Sequence, residues 1–588
     1  MQNKLLNEAK QKLQNQSAQS TAPRYQIDHA YWREVGAGAP DLDYVCDGLE
    51  TGFDICVPKG IDLSRDKCRN LPTSVEQKIS VTNWIGKKRD KGAIWGPWKT
   101  TAEMPPVLDG FRSSPMGAVK KGVHANITEE DWWKRNWRVI HHLTHPKSGI
   151  SVNSSIDPMW TMVSYPRFRQ IVAMIYMLGI GALLWTIDAE DAYIRVPINE
   201  ESFKYMGFQW MGLYYCFTCL SFGLASACKI YTRFADLLLW IVKHNTDPEL
   251  WHLNGQPCVY HYIDDFFGGA PAQYASRAHS QFDAVYEWFG KLGIPTQLKK
   301  CFSPRTRIII LGFLYDTMLQ MVFIPEIKLN IMLDEINRIL GQKNVTQLEL
   351  QSLIGKLRWA SVCIFMGPAF VRRMEVAAYS VKRGYHHVHV HIIRRDLLWW
   401  REQITKGGQG IKLLDILRAN DKGDIHVLTD ASTKDGMGGW NRQGDWFRYR
   451  WTDHPNKPLF QDPKKPDIFW KEMCAIATSC LIWGHQWKGK SVTFWCDNEP
   501  CVYSLAKWRC DFKREDVMRL IRIIADCANR FGFCPFFIHI RGKDNLTADS
   551  LSRFDFVKFR SDTAGIQMSA AETECSNALD HIVKDCFN

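Results

Sequence analysis

The chain has 588 residues, of which 46% are hydrophobic and 23% are charged, and its 74 basic and 62 acidic residues give a net charge of +12. At roughly 150 residues per domain, this length predicts about four compact units. The composition excludes a chain that is disordered throughout, collagen-like or of low complexity. The positive charge favours a polyanionic partner.

The N-terminal residues and the cysteines indicate the cellular setting. Residues 1–24 are polar and contain no Sec signal pattern, so we expect a flexible arm there, with a mitochondrial presequence as the weaker alternative. The 18 cysteines show no small-domain disulfide framework, which predicts reduced thiols in a cytoplasmic or nuclear protein. Cys216 and Cys219 form a close C-x-x-C pair in an apolar stretch, where core packing is favoured over zinc binding.

One uncharged run, Ile171 to Ile187, is a candidate membrane span. It is slightly short for a bilayer crossing, contains Gly179 and Gly181, and continues into acidic residues. We therefore predict no membrane segment but a buried helix followed by a buried strand.

Residues 25–100 form an N-terminal extension that contains Trp, Gly and Pro without a clean period, so no strand can be placed in it. Beyond it, the hydrophobic pattern changes from strands to a helix and back, and ends with a hairpin around an Asp-Asp tip. The predicted elements are strands at 114–121 and 137–140, a helix at 167–178, a buried strand at 182–187 and a hairpin at 259–267.

From Glu326 the apolar residues follow helical spacing, and Gly341 lies at the expected C-cap. Thr346-x-x-Glu349 is a capping box that opens a second helix. These features predict a helical subdomain over residues 326–420. It contains an alternating cluster of histidines, for which a solvated connector is favoured over a metal clip. The cluster consists of His386, His387, His389 and His391.

A polar segment at residues 421–424 is typical of a linker. Beyond it, the strand Ile425–Asp430 begins a new α/β unit that we expect to end near residue 556. For residues 557–588 we expect weak order.

Three aspartates are predicted to converge at one edge of a sheet. Asp188 ends an apolar strand, and Asp264 and Asp265 occupy the tip of the later hairpin. Nucleotidyl transfer needs two divalent cations about 4 Å apart, and Mg²⁺ prefers carboxylate oxygens. Taken alone, however, an Asp-Asp pair is ordinary turn chemistry and Asp188 also fits a helix N-cap.

The order of the surrounding motifs resembles that of the reverse transcriptases. Seven ordered matches over about 200 residues make chance a poor explanation. In chain order they are Ser114–Lys121 and Trp137–Ile140 (fingers strands), Asp188–Tyr193 with Val196-Pro197 (first palm motif), Ser221–Ala227 (template- and nucleotide-facing motif), Tyr262–Asp265 (catalytic hairpin), Gly293–Lys300, and Leu311-Gly312-Phe313 (primer-gripping hairpin).

The resemblance implies catalytic roles for four residues. Asp188, Asp264 and Asp265 would bind the metal ions. Lys300 would be the acid for the leaving pyrophosphate, with a solvated surface lysine as the alternative.

The resemblance also implies six residues around the incoming nucleotide: Lys121, Arg138, Asp191, Tyr193, Phe222 and Gly223. Lys121 and Arg138 would hold the triphosphate by charge-assisted contacts, with Asp191 near it. The ring of Tyr193 would collide with a 2′-OH, which favours deoxynucleotides, whereas an ordinary strand tyrosine is the alternative.

The sequence departs from the family pattern at three positions. Ser221 and Cys228 stand where the family usually has Pro, and His142 stands where the fingers usually have Asp. These departures affect the expected fingers geometry and fidelity and remove no metal ligand.

The C-terminal motifs resemble those of ribonuclease H. The resemblance implies that Asp430, Glu472, Asp497 and Asp549 hold two metal ions for the hydrolysis of RNA within a hybrid. His539 resembles a mobile histidine near the product end of such sites, with a hydrogen-bonded strand-edge histidine as the alternative. Singly, each acid also fits an N-cap or a surface charge.

The predicted fold class is α+β. It consists of a right-hand polymerase with fingers and palm at residues 101–325 and a helical thumb and connection at 326–420, followed by an α/β ribonuclease H-like domain at 421–556. The predicted activity is RNA-directed and DNA-directed DNA synthesis from a primer 3′-OH, with cleavage of RNA in hybrids. The cofactor would be Mg²⁺, two ions per active site, with Mn²⁺ as the alternative. The partners would be an RNA template, a DNA primer and product, RNA–DNA hybrid and dNTPs.

Several further motifs resemble retroelements of the DIRS type, which integrate by tyrosine recombinase, with Ty3-like elements as the alternative. They are Gly48–Ile55, Phe222–Leu224, Gln351–Leu357 and Asp396–Trp400.

Two other functional classes remain as alternatives. A domesticated, non-catalytic RNA-binding scaffold is disfavoured because all seven acids are present. An RNA-dependent RNA polymerase is disfavoured by Tyr193 and by the ribonuclease H motifs.

Overall fold

The computed structural model of the chain contains two compact units. It describes residues 21–120, 137–146, 148–381, 386–406, 410–417, 423–456, 459–460, 466–511, 513–569 and 571–587, together with Glu8, Gln11 and Gln19. The first unit comprises Met1–Leu311 and Asp316–Met318, and the second comprises Gly312–Tyr315 and Leu319–Asn588. This division does not test the predicted boundaries at residues 100, 325 and 420, which stay predictions. Most of the predicted arm at 1–24 and half of the predicted linker at 421–424 lie outside the described residues.

The first unit mixes helices with short antiparallel strands. Its helices are α1 (His29–Val35), α2 (Leu42–Thr51), α3 (Pro72–Glu76), α4 (Lys78–Asp90), α5 (Val152–Ser155), α6 (Phe168–Leu178), α7 (Glu200–Phe203), α8 (Ala227–His244) and α9 (Ala275–Lys291). Its strands are β1 (Ile94–Trp98), β2 (Met116–Lys120), β3 (Trp137–His141), β4 (Leu183–Asp188), β5 (Gly207–Trp210), β6 (Leu213–Phe217), β7 (His252–Leu253), β8 (Gln256–Pro257), β9 (Val259–Tyr262), β10 (Asp265–Ala270), β11 (Phe302–Arg305) and β12 (Arg307–Ile310).

A four-stranded antiparallel sheet in the order β11–β4–β10–β9 positions the first carboxylates. The hairpin predicted at 259–267 is confirmed, because β9 and β10 pair with Asp265 opposite Tyr262. The two-residue turn between them contains Ile263, whose φ of 53° is left-handed. On the other side of β10, Asp265 pairs with Asp188 at the end of β4. The sheet therefore brings two chain segments together at one edge.

The uncharged run from Ile171 folds as predicted, into a helix followed by a strand. Helix α6 ends at the C-cap Gly179, and Ile171 and Ile175 are buried. Strand β4 then begins at Leu183 and lies within the sheet. In the part of the chain that the structure describes, no helix is long and apolar enough to cross a bilayer.

The N-terminal extension contains the four helices α1 to α4 and is packed into the core of the first unit. Trp32 on α1 is fully buried, its ring lies 5.0 Å from that of Phe234, and its Nε1 donates a hydrogen bond to the Leu292 carbonyl at 3.0 Å. Strand β1, which no pattern in the sequence predicted, pairs with β6. Residues 25–100 are thus an integral part of this unit.

The two predicted fingers strands form one antiparallel pair. Strands β2 and β3 pair from Met116 opposite His141 to Lys120 opposite Trp137. Lys121, which was predicted to end the first strand and to bind the triphosphate, lies outside the described residues.

The second unit contains the remaining elements. Its helices are α10 (Glu326–Leu340), α11 (Gln347–Ala360), α12 (Arg372–Tyr379), α13 (Val390–Thr405), α14 (Leu413–Leu417), α15 (Ile468–Trp483), α16 (Glu499–Ala506), α17 (Glu515–Phe531), α18 (Leu546–Ser552), α19 (Phe556–Asp562) and α20 (Ser576–Phe587). The strands that accompany them are β13 (Phe313–Asp316), β14 (Met321–Phe323), β15 (Asn344–Thr346), β16 (His387–His389), β17 (Ile411–Lys412), β18 (Ile425–Ala431), β19 (Gly436–Asn441), β20 (Trp446–Arg450), β21 (Ser491–Cys496) and β22 (Cys534–His539).

The predicted helical segment after Glu326 is confirmed. Helix α10 ends at the C-cap Gly341, and α11 begins with the predicted capping box, in which the Thr346 hydroxyl accepts from the Glu349 N–H at 3.3 Å. The histidine cluster forms β16, which pairs with β15 and leads into α13. Among the described residues, the side chains of this cluster do not form a group close enough to hold a metal ion.

A five-stranded sheet in the order β20–β19–β18–β21–β22 forms the predicted α/β unit. Strands β20, β19 and β18 are antiparallel, whereas β21 and β22 run parallel to β18. A Cβ at Gly438 of β19 would lie 2.4 Å from the Cβ of Leu551, because α18 packs directly on this strand. This close approach explains why position 438 is a glycine.

The prediction of weak order for residues 557–588 is wrong over most of the described residues of this segment. Helix α20 buries Leu579, Ile582, Val583 and Cys586 against α15 and α17. These residues follow the spacing of an amphipathic helix, so the apolar pattern of the sequence already indicated a helix here. Burial of that apolar face stabilises the helix.

Candidate active sites

The sheet of the first unit brings Asp188, Asp264 and Asp265 to one edge. Asp188 and Asp265 face each other across β4 and β10, and Asp264 occupies the turn just before β10. The Ala189 N–H donates to the Asp264 carbonyl at 2.9 Å, which ties the turn to the end of β4. The segment that ends at Asp188 and the hairpin that carries Asp264 and Asp265 therefore lie side by side, as predicted.

Lys300 provides a cation at this edge. Its Nζ lies 2.7 Å from Asp188 Oδ2, and the Asp188 side chain is 5% exposed while that of Lys300 is 56% exposed. Burial alone would lower the pKa of Lys300, but the bond to Asp188 and the charges of the other two acids raise it above its usual value. Lys300 is therefore protonated at neutral pH.

Burial and the charges of neighbouring acids raise the pKa values of Asp264 and Asp265. Burial, followed by the charges of Asp264 and Asp188, raises the pKa of Asp265 to about 7. Burial and the charge of Asp188 raise the pKa of Asp264. Lys300 alone does not compensate three ionised acids, so the cluster favours additional positive charge. Carboxylate oxygens are the ligands that Mg²⁺ prefers, so the chemistry of these three side chains fits that ion.

A cavity of about 170 Å³ lies beside the acids in the first unit. Of the residues predicted to surround the nucleotide, Arg138, Asp191, Tyr193 and Phe222 line it, together with the acids Asp188 and Asp264 and with Lys300. The structure thus gathers these predicted residues around one space.

Tyr193 lies in a 3-10 helix, Ala192–Arg195, and not in a strand, so the interpretation as an ordinary strand tyrosine is wrong. Its ring is buried and packs at 5.0 Å from Phe222 and 5.7 Å from Tyr231. Its hydroxyl lies 3.0 Å from the Cys228 Sγ. Burial, and then the bond to Cys228, raises the pKa of Tyr193 well above its usual value. The ring is therefore fixed, neutral and directed at the cavity that it lines.

Gly223 is required by a close backbone approach. Its φ is 121°, and a Cβ there would lie 2.0 Å from the His141 carbonyl oxygen. The His141 N–H also donates to the Phe222 carbonyl at 2.9 Å. The guanidinium of Arg138 lies 5.1 Å from the centre of the Phe222 ring. Strand β3 and the Phe222-Gly223 segment are therefore held together.

Two lysines of the N-terminal extension, which the sequence analysis missed, bind Asp191. Lys88 Nζ lies 2.6 Å from Asp191 Oδ1, and Lys91 Nζ lies 2.6 Å from Asp191 Oδ2. Burial would raise the pKa of Asp191, but the two lysines lower it below its usual value. The basic run at 87–91 is typical of a solvated helix end, so nothing in the sequence distinguished these lysines.

The second unit gathers its four predicted acids around the end of its sheet. Asp430 lies on β18, Glu472 on α15, Asp497 directly after β21 and Asp549 on α18. The Ala431 N–H donates to Glu472 Oε1 at 3.2 Å. Each predicted element type is confirmed: a strand, a helix, a strand end and a helix.

The acids of the second unit are held by neighbouring side chains. The Ser552 hydroxyl donates to Asp430, and Arg553 Nε donates to Asp549 Oδ1 at 2.6 Å. The Cys496 thiol lies 3.8 Å from Glu472 Oε2. Ser552, Arg553 and Cys496 lie next to or near the predicted acids in the chain but were assigned no role from the sequence.

Burial and the charges of neighbouring groups raise the pKa values of Asp430, Glu472 and Asp497. The pKa of Asp430 rises to about 6, because burial and the charges of Asp497 and Asp549 outweigh the hydrogen bond from Ser552. Burial is also the largest cause of the raised pKa values of Glu472 and Asp497. Within the described residues, Glu472, Cys496 and Asp497 form the one group whose potential ligand atoms all lie within 4.8 Å of one another. This arrangement also fits a divalent cation.

His539 ends β22 beside this cluster. Its Nε2 lies 3.2 Å from the Asp497 carbonyl oxygen, and the residue is exposed. An exposed histidine held at one ring nitrogen is consistent with both the predicted mobile residue and a strand-edge histidine.

Comparison with known proteins assigns part of the chain. A family model described as reverse transcriptase (RNA-dependent DNA polymerase) matches residues 136–315. No curated protein matches the chain. The solved structure of the foamy viral protease-reverse transcriptase dRH in complex with double-stranded DNA is 12% identical, with a TM-score of 0.44, and the match covers 89% of this chain and 83% of that chain. The structure of the foamy viral protease-reverse transcriptase in complex with RNA/DNA hybrid is 13% identical, with a TM-score of 0.44, and the match covers 90% of this chain and 65% of that chain.

The roles of individual residues therefore rest on the family model and on the geometry of the site, and not on these distantly similar structures. The matched residues contain Arg138, the three acids of the first cluster and Lys300. Together with the antiparallel sheet that carries these acids, the match confirms the predicted α+β fold class with a right-hand polymerase. Residues 136–315 of this chain are therefore a reverse transcriptase domain.

Proposed function

We propose that this protein is an RNA-directed DNA polymerase that also copies DNA, and that its second unit cleaves RNA in RNA–DNA hybrids as a ribonuclease H. The observation that carries the proposal is a carboxylate cluster at the strand ends of each unit. The clusters are Asp188, Asp264 and Asp265 in the first, and Asp430, Glu472, Asp497 and Asp549 in the second.

In the polymerase site, Asp188, Asp264 and Asp265 would hold Mg²⁺, or Mn²⁺ in its place. When bound, two such ions stabilise the charge on the attacking and the leaving oxygen of nucleotidyl transfer. Lys300 is protonated beside Asp188 and would donate its proton to the leaving pyrophosphate. Transfer of that proton to a strongly charged leaving group lowers the barrier to its departure.

The nucleotide would enter the cavity that Arg138 and Tyr193 line. Arg138, and with it Lys121, would bind the triphosphate by charge-assisted hydrogen bonds. The buried Tyr193 ring cannot turn aside, because Phe222 and Tyr231 pack on it. It would therefore exclude a ribose 2′-OH and select dNTPs.

In the second site, Asp430, Glu472, Asp497 and Asp549 would hold two divalent cations for hydrolysis of the RNA strand. Ser552 keeps Asp430 ionised by donating a hydrogen bond to it, and Arg553 compensates the charge of Asp549. His539 would assist release of the cleaved RNA end from the exposed side of the cluster.

The net charge of +12 supports a grip on nucleic acid through phosphates and A-like duplex shape, with little reading of base edges. Affinity for an RNA–DNA hybrid should therefore fall steeply as the salt concentration rises. A flat salt response would count against this grip.

We further infer that the chain serves the replication of a retroelement of the DIRS type and acts in the cytoplasm or the nucleus. The motifs at Gly48–Ile55, Gln351–Leu357 and Asp396–Trp400 support this lineage. The many buried free cysteines are consistent with a reducing compartment.

The decisive experiment is primer extension with the full chain on an RNA template and on a DNA template. Each reaction contains Mg²⁺ and either dNTPs or rNTPs. Extension with dNTPs on both templates would support the proposal. Extension only with rNTPs would indicate an RNA polymerase. No extension with either, together with retained RNA binding, would indicate a non-catalytic scaffold.

A further inference from the structure

Helix α4 reaches the nucleotide cavity from a part of the chain that precedes the matched residues 136–315. Its Lys88 lines the same cavity of about 170 Å³ as Arg138 and Tyr193. The side chain of Lys88 is only 12% exposed, so its charge acts in a partly water-excluded space. The N-terminal extension therefore contributes a cation to this site.

The partner of Lys88 is Asp191, which is 20% exposed in its side chain. Lys88 Nζ lies 2.6 Å from Oδ1 of that carboxylate, while Lys91 Nζ lies 2.6 Å from Oδ2 and 3.1 Å from Glu190 Oε1. Lys91 is 42% exposed and does not line the cavity. Solvent screens the charge of Lys91 more than that of Lys88, so Lys88 contributes more to the positive potential in the cavity.

Asp191 also sets the local backbone. It has φ 58° and ψ 36°, a left-handed conformation that is disfavoured for a residue with a Cβ. It directly precedes the 3-10 helix Ala192–Arg195, which carries Tyr193. An ion pair that fixes the Asp191 carboxylate therefore fixes the start of the segment that positions the Tyr193 ring.

Without Lys88, only the more solvent-screened Lys91 would compensate the Asp191 carboxylate, in a wall that already contains Asp188 and Asp264. A triphosphate is a polyanion, and like charge at this distance opposes its entry. We propose that Lys88 is a positioning residue for the incoming nucleoside triphosphate, which acts by neutralising and holding Asp191. This inference rests on the proposed polymerase function.

The test is single-nucleotide primer extension by the full chain with Lys88→Met. We expect the KM for dNTP to rise about ten-fold, equivalent to about 1.4 kcal/mol, with kcat changed less than about three-fold. Lys88→Arg should keep the KM near that of the parent. The matched control is Lys87→Met, which removes an exposed lysine of the same helix that does not line the cavity and should change the KM less than about three-fold.

A rescue variant separates action through Asp191 from direct contact with the triphosphate. Adding Asp191→Asn to Lys88→Met removes the charge that Lys88 compensates, so the KM should return to within about three-fold of that of Asp191→Asn alone. Thermal unfolding of each variant measures whether it is folded.

Two results would overturn the inference. The first is an unchanged KM in a folded Lys88→Met variant. The second is a raised KM that Asp191→Asn does not lower. If the unsubstituted chain extends the primer, either result refutes the role of Lys88 and leaves the proposed function standing. If the unsubstituted chain extends no primer, the proposed function itself is refuted.

Discussion

Asp265→Asn should stabilise the metal-free protein at alkaline pH while abolishing synthesis. Asp265 is partly buried between Asp188 and Asp264, and these surroundings raise its pKa from 3.8 to about 7. Between these two values the folded state holds a proton that the unfolded state has released. The folded state of the parent is therefore penalised progressively as the pH rises from about 4 to about 7, and fully above that.

The magnitude follows from the same shift. A rise in pKa from 3.8 to about 7 corresponds to at most about 4 kcal/mol once the carboxyl is ionised. Because water reaches part of the Asp265 side chain, we expect about half of this, about 2 kcal/mol. For a unit of this size, that energy corresponds to a rise in the melting temperature of about 3 °C.

The assay is calorimetry of the full chain in EDTA at pH 5 and at pH 8. Asp265→Asn should melt higher than the parent at pH 8, and the gain should be smaller at pH 5. Adding Mg²⁺ should reverse the order at pH 8, because the variant lacks a ligand that the parent has. Asp283→Asn, on the exposed face of α9, is the matched control and should not shift the transition. A variant that melts at or below the parent at pH 8 in EDTA would refute the reasoning.

Three further substitutions test individual side chains. Tyr193→Val should reduce the preference for dNTPs over rNTPs at least ten-fold, measured as the ratio of kcat/KM values, whereas Tyr193→Phe should keep that preference. Unchanged selectivity in the Val variant would refute the exclusion of the 2′-OH by the Tyr193 ring. Gly223→Ala should lose at least about 3 kcal/mol of stability, because its Cβ would lie 2.0 Å from a carbonyl oxygen. Gly293 has a φ of 75° and open space around it, so Gly293→Ala should lose only about 1 kcal/mol of stability. Equal melting temperatures of Gly223→Ala and Gly293→Ala would contradict this account. Ser552→Ala removes the hydrogen bond that lowers the pKa of Asp430, so the acid limb of hybrid cleavage should move to higher pH; an unmoved limb would show that Asp430 does not titrate there.

The placement of the first acids could be predicted because it depends on local patterns. The strand that ends at Asp188 and the strand that follows Asp264 are both short apolar runs next to acidic residues, and both are buried in the sheet. Ordered motifs then specified which strands pair. The second cluster was predictable in the same way, from two acids near strand ends and two on helices.

The contribution of α4 could not be predicted. Lys88 and Asp191 are 103 residues apart, and a basic run at a helix end is usually solvated. Their pairing depends on tertiary packing of an extension in which no periodic pattern was visible. Cys228 is a similar case, because its thiol contacts the Tyr193 hydroxyl only through the fold.

The C-terminal helix α20 is different, because its sequence contained the necessary signal. Leu579, Ile582, Val583 and Cys586 have helical spacing, but so short a segment gains little stability alone. Its order depends on the faces of α15 and α17 that cover it, which the sequence does not show.

The central claim is that two independent metal-dependent sites act in one chain, and separation of the two activities tests it most directly. Primer extension and hybrid cleavage are measured on the same preparations of Asp264→Asn and Asp497→Asn, with the exposed Asp283→Asn and Asp453→Asn as matched controls. We predict that Asp264→Asn loses synthesis and keeps hybrid cleavage, that Asp497→Asn loses cleavage and keeps synthesis, and that both controls keep both. Loss of both activities in either folded active-site variant, or of neither, would contradict the account.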